Sequence, residues 1–240
     1  MFVLLTRPLD EAMHTAEKLA ALGHTAVLSP VIDIVPTGAS WPHGVIDAVV
    51  ATSARAFQCF DIAPDWPPAE ARRLYPLFVV GARTAEAARA RGFEGVPRIT
   101  LDAKALCSVI LERFEPGAHL VYLAGRDRKS DLETYCRKAG VTLDAVETYA
   151  AQSAPHLSDE AVRLADEGVI GAVLHFSRRS AEIFLRLAAE ARFDPAPLIH
   201  VVISADAAEP LAALPKVVIV QEPTEDAILA LFRSPPAART

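Results

Sequence analysis

The chain has 240 residues, 52% of them hydrophobic and 22% charged, with a formal net charge of −6. That composition supplies a substantial core and excludes a disordered chain, while the acidic balance argues against nucleic acid as a partner. The longest apolar runs, 198–203 and 217–220, are strand-sized and far below the roughly 18 residues of a membrane-spanning helix, and the N-terminal FVLLT is too short for a secretory signal. A cytoplasmic protein with no membrane attachment is expected.

In chain order, β-rich runs are expected at 2–6, 25–28, 48–52, 77–80, 98–101, 120–123, 142–146, 172–176, 199–203 and 217–220. Most are unbroken apolar runs, as in strands buried on both faces of a parallel sheet. Helices fall between them. Ala12, Met13, Ala16, Leu19 and Ala20 form a stripe at helical spacing that stops at Gly23. Ser130-Asp131-Leu132-Glu133 has the capping-box pattern, and its helix stops at Gly140. Thr224-Glu225-Asp226 places a cap and two acids at the start of the last helix. Alternating strands and helices with short loops give an α/β fold of parallel sheets flanked by helices.

The chain also echoes itself. Val3-Leu4-Leu5-Thr6-Arg7, a helix, Gly23 and a strand recur as Val121-Tyr122-Leu123-Ala124-Gly125-Arg126, a helix, Gly140 and a strand. The run 49–57 recurs at 173–181, and 77–81 at 199–204. Two doubly wound domains of about five strands each suit this length better than one sheet of ten. Two extended segments, 31–36 (VIDIVP) and 146–152 (VETYAAQ), occupy equivalent points of the repeats and read as linkers too polar for buried core. These residues by themselves allow either sequential domains or an arrangement in which the chain crosses twice.

In parallel α/β sheets, ligands bind beyond the carboxyl ends of the strands. Four turns there are rich in hydroxyls and guanidinium groups: Thr52-Ser53-Ala54-Arg55, Gly81-Ala82-Arg83-Thr84, Gly125-Arg126-Asp127-Arg128-Lys129 and Ser177-Arg178-Arg179-Ser180. Helix N-termini and such side chains suit carboxylate or phosphate ligands, although Ser53, Thr84 and Ser177 equally fit as N-caps. Tyr149, in the second linker, serves either as a packing aromatic or as a polar handle towards a ligand. Cys59, Cys107 and Cys136 lack paired spacing and read as reduced helix residues, and the histidines lack metal-binding spacing. No dinucleotide, Walker or nucleophile-elbow pattern is present.

Taken in order, LLTRP, SPVIDIVP, ATSARAF, FVVGARTAEAARARG, VYLAGR, VETYAAQ and HFSRRSAEIF resemble the uroporphyrinogen-III synthase family. The resemblance implies one discontinuous domain, 1–34 plus 153–240, and a second, 38–146. Linkers near 31–37 and 146–152 join them, with a cleft between. It implies a cofactor-independent lyase of the tetrapyrrole pathway, which closes hydroxymethylbilane to uroporphyrinogen III with loss of water and inversion of the last ring. A monomer is the default expectation for a cleft that must open and close. Tyr149 matches a linker tyrosine proposed to assist the leaving hydroxyl, and Thr84 a threonine implicated in activity. Thr52, Ser53, Arg55, Gly81, Arg126 and Ser177 fall at the substrate-facing strand ends. One departure is Ser204-Ala205-Asp206-Ala207, which lacks the glycine and threonine of the corresponding turn and adds a carboxylate. The alternative is a repurposed, non-enzymatic α/β ligand-binding module on the same scaffold.

Overall fold

The structure, a computed structural model, describes residues 1–59 and 65–233. Residues 234–240, within the span expected of the first domain, lie outside the described residues. The strands are β1 (Phe2–Leu5), β2 (Thr25–Leu28), β3 (Ile32–Pro36), β4 (Ala48–Ala51), β5 (Leu77–Val80), β6 (Pro97–Thr100), β7 (His119–Gly125), β8 (Thr142–Ser153), β9 (Ile170–His175), β10 (Ile199–Val202) and β11 (Val217–Ile219). Met1–Asp33 and the chain from Gln152 onward form one compact unit, and Ile34–Ala151 the other.

The first unit holds a five-stranded sheet in the order β11-β10-β9-β1-β2, with parallel pairing throughout. The strand β1 is buried on both faces. Leu4 packs with Val27, Val173 and Phe184, while Val3 and Leu5 pack with Ala12, Leu19 and Ile228 on the opposite side. Helices thus cover both faces, which is why these strands read as unbroken apolar runs. Phe184 is fully buried, a contribution of about 1.5–3 kcal/mol by transfer alone.

The second unit has six strands in the order β3-β8-β7-β4-β5-β6. Its two cores separate by alternation: Val49 and Ala51 face Phe57, Ala85 and Phe93, whereas Ala48 and Val50 face Leu106, Ile110 and Cys136. The sixth strand, β3, is the first expected linker. It pairs along the outer edge of β8, where Thr37 N–H donates to Thr148 O at 3.2 Å, and so covers backbone groups that an edge leaves open. Neither linker is as polar as its sequence suggests, since Val31, Val146, Thr148 and Ala150 are all buried.

Strands related by the sequence echo hold the same place in the two sheets. β1 and β7 correspond, as do β2 and β8, β9 and β4, and β10 and β5. In both sheets the connectivity reverses direction between two adjacent inner strands, β1 and β9 in one and β7 and β4 in the other. Such a switch point opens a crevice beyond the strands' carboxyl ends.

Helix starts follow local chemistry in most cases. Asp102, Ser158, Ser177, Ser204 and Thr224 each accept a first-turn N–H. The capping box at Ser130 does not form. The Ser130 side chain makes no cap bond, and Glu133 turns instead to Arg128 Nε at 2.7 Å. Among the described residues no helix is long and apolar enough to cross a membrane.

Candidate active site

Four adjacent strands of the second sheet, β8, β7, β4 and β5, bring most of the expected residues to one carboxyl edge. Thr52 follows β4, and its hydroxyl lies 2.8 Å from the Tyr122 hydroxyl. Ser53 Oγ accepts the Arg55 N–H at 3.3 Å rather than capping the helix Arg55–Gln58. Gly81 ends β5 with φ 78°, a conformation that favours glycine, and its own N–H donates to Thr100 O at 2.9 Å. What this turn offers a ligand is therefore the start of the helix Ala82–Arg89. Thr84 is the third residue of that helix, not its cap. It is 4% exposed, and its hydroxyl bonds to no described residue. Ser177, in the other unit, is an N-cap: its Oγ accepts the Ser180 N–H at 3.1 Å and meets Ser180 Oγ at 2.8 Å.

Tyr149 is half-buried on β8, opposite Gly125 of β7. Its ring lies across Gly125, and its carbonyl accepts the Arg126 N–H at 2.9 Å. The Tyr149 hydroxyl bonds to no described residue and is not among the polar atoms buried without a partner. The ring is thus a packing aromatic, while the hydroxyl is left without a partner among the described residues.

The basic turns carry less net positive charge than their sequences imply. Arg126 Nε meets Glu147 at 3.1 Å, and Arg128 bridges Glu133 at 2.7 Å and Glu147 at 3.1 Å. Hydrogen bonds from Arg126 and then Arg128 hold the Glu147 carboxyl below its usual range. In the other unit Arg178 contacts Glu182, Asp206 and Glu209 at 3.0, 3.7 and 2.5 Å. Asp206, the odd carboxylate of the departed turn, thereby partners a guanidinium. Arg126 keeps 57% of its side chain exposed and only its Nε on the carboxylate, so its remaining donors face outward.

Two residues that contact these candidates escaped the sequence reading. Tyr122 is 4% exposed, and burial, as the leading cause, raises the pKa of its phenol. A tyrosine within the aliphatic run Leu120-Val121-Tyr122-Leu123 needs a partner for its hydroxyl, and that was the available signal. Glu147, the acid that organises two arginines, gave no such signal, because both partners lie on another element. Among the described residues no group of three or more His, Cys, Asp or Glu side chains is placed to hold a metal ion.

Two largely parallel α/β sheets, with hydroxyls, helix starts and an outward guanidinium along a carboxyl edge, define a protein equipped for an anionic small molecule. The chain belongs to the uroporphyrinogen-III synthase family: the family model for uroporphyrinogen-III synthase HemD matches residues 13–230. It is thus an enzyme, a lyase of porphyrin and haem biosynthesis that cyclises hydroxymethylbilane to uroporphyrinogen III with loss of water and inversion of ring D. Among solved structures, uroporphyrinogen-III synthetase from Helicobacter pylori aligns over 95% of this chain and 96% of its own, with TM-score 0.56 and 14% identity, which shows a shared fold. A mutant uroporphyrinogen III synthase from the extremely thermophilic bacterium Thermus thermophilus aligns over 97% of both chains with TM-score 0.46 and 13% identity. No curated protein gives a significant sequence match. Nothing in these comparisons supports the binding-module alternative.

Proposed function

We propose that the carboxyl edge of the Ile34–Ala151 sheet carries the cyclisation chemistry, with Tyr149 donating a hydrogen bond to the hydroxyl that leaves as water. The observation behind this is a phenol whose ring is packed in place while its hydroxyl has no partner among the described residues. Loss of water leaves an azafulvenium cation, and closure passes through a spiro intermediate. Because the bilane closes unaided to the non-inverted isomer, the residues' task is to hold the chain in the fold that inverts the last ring.

Thr84 supplies a second unpartnered hydroxyl at the start of its helix. Arg55, Arg126 and the Thr52–Ser53 turn receive the acetate and propionate groups that every ring carries. In its own unit, Ser177 offers a helix start of the same kind. Gly81 contributes by opening the turn ahead of Thr84. The net charge of −6 repels such a substrate at long range, but salt screens that beyond about 8–10 Å. Short-range donors then decide binding. The pathway supports a cytoplasmic placement, and we take the chain to act as a monomer.

Tyr149→Phe tests the assignment. Loss of one donor that acts in the transition state costs on the order of 2–4 kcal/mol, so formation of the inverted isomer should fall while the fold persists. Thr84→Ala should lower turnover in the same direction. Undiminished turnover in a folded Tyr149→Phe protein would remove Tyr149 from the chemistry.

A further inference from the structure

We propose that Gly125 and Arg128 are positioning residues that aim the Tyr149 hydroxyl, an inference resting on the role of Tyr149 given above. Strict alternation along β8 would place Tyr149 on the face of Leu143 and Ala145, which pack with Tyr122 and Leu120. Tyr149 instead packs in the opposite core, with Val146, Leu123 and Val79. The change of face is made by a break in register. Ala124 pairs with Glu147, the next residue Gly125 pairs with Tyr149, and Thr148 is left over. This is a β-bulge, a device that re-aims a side chain. The extra residue is itself tied down, since Thr148 is buried and its hydroxyl donates to Ala124 O at 3.4 Å.

Gly125 makes the new position possible. A Cβ there would lie 2.7 Å from Tyr149 Cε2 and Cζ and 2.9 Å from the hydroxyl oxygen, and these are the three nearest atoms it would meet. The backbone at Gly125 has no positive φ. The ring of Tyr149, not the local conformation, is therefore what requires a glycine. The seat is pinned on either side of the residue: Arg126 N–H donates to Tyr149 O at 2.9 Å, and Arg128 Nη1 donates to Gly125 O at 3.1 Å. Arg128 is in turn fixed by Glu133 and by Glu147, two residues before the tyrosine on the same strand.

Gly125→Ala would push the ring by at least 3.4 − 2.7 = 0.7 Å to reach ordinary contact. Misplacing a reacting group by about 1 Å can cost about 100-fold, so this substitution should lower kcat by about 10- to 100-fold with KM little changed. The test is a double-mutant cycle on the intact protein with hydroxymethylbilane, reading kcat, KM and the uroporphyrin isomer ratio for Gly125→Ala, Tyr149→Phe and both together. If Gly125 acts through the hydroxyl, its substitution costs little once that hydroxyl is gone. Equal losses in both backgrounds, or an unimpaired Gly125→Ala protein, overturn the positioning role while leaving Tyr149 in place. A fully active Tyr149→Phe protein removes the reading beneath it instead. Should Gly125→Ala fail to fold, Arg128→Lys carries the same cycle. It keeps a cation between Glu133 and Glu147 but loses the planar fork that also reaches Gly125 O, and its kcat loss should likewise vanish beside Tyr149→Phe.

Discussion

His175 and His200 face one another on neighbouring strands β9 and β10, both fully buried, with His175 Nε2 and His200 Nδ1 3.1 Å apart. His200 Nε2 lies 3.0 Å from the Pro195 carbonyl, which can only accept, so that nitrogen carries hydrogen and His200 Nδ1 accepts from His175. His175 Nδ1 is then a buried lone pair without a partner. Burial, followed by repulsion from His200, holds His175 down to about 3 from an ordinary 6.5, and burial also lowers His200. The unfolded chain takes up protons below about 6.5 that the folded chain refuses. Stability from this source is intact above that pH and falls as pH drops towards 3, by about 1.4 kcal/mol per pH unit for each proton. Urea unfolding at about pH 7 and about pH 5 should show this loss, and a folded His175→Leu protein should show a smaller one; an unchanged pH dependence would contradict the assignment. Such pairs are invisible along the chain, because their members lie 25 residues apart on different strands. Thr52 and Thr84 were singled out by their places at strand ends, and Tyr149 by the family resemblance of its linker. Tyr122 beside Thr52, Gly125 beneath the Tyr149 ring and Glu147 beside two arginines make their contacts across strands, where sequence spacing does not show them.

Converging charges tie separate elements of the fold together. Glu225, first residue of the helix Glu225–Ala230, receives Arg7 Nη1 at 3.0 Å, the Thr15 hydroxyl and Lys18 Nζ, and so fastens the last helix to the end of β1 and to the helix Leu9–Ala21. Arg7 also lies 4.0 Å over the ring of Phe176. Glu225 is 24% exposed, against 49% for Glu167 in its pair with Arg163. Glu225→Ala should cost about 1.5–3 kcal/mol, the range for hydrogen bonds to charged groups, whereas Glu167→Ala should cost below about 1 kcal/mol. Urea unfolding of the two variants separates them, and equal small losses would deny the cluster its role. The sequence pattern located this helix start correctly through Thr224. It erred at Ser130, where the right residues were present but Arg128 outcompeted the backbone for Glu133. It also treated β3 and the end of β8 as bare linkers. Hydrophobic patterning reports burial, and a bulge or an edge pairing leaves no distinctive trace in it.

Across the whole chain, the alternation of apolar runs with capped helices was enough to read parallel sheets, since both faces of β1 and β4 are buried. The internal echo was read as two similar domains, and the corresponding runs do occupy corresponding places in the two sheets. The sixth strand was not readable, as its pairing with β8 depends on backbone groups rather than on side-chain pattern. A physical rule about parallel sheets singled out the candidate edge, whereas the chemistry came from family membership. The most direct test is to incubate the purified protein with freshly made hydroxymethylbilane and resolve the uroporphyrin isomers after oxidation. The account predicts predominantly isomer III, formed without added metal or cofactor. Isomer I alone, at the rate of the unaided reaction, would contradict it.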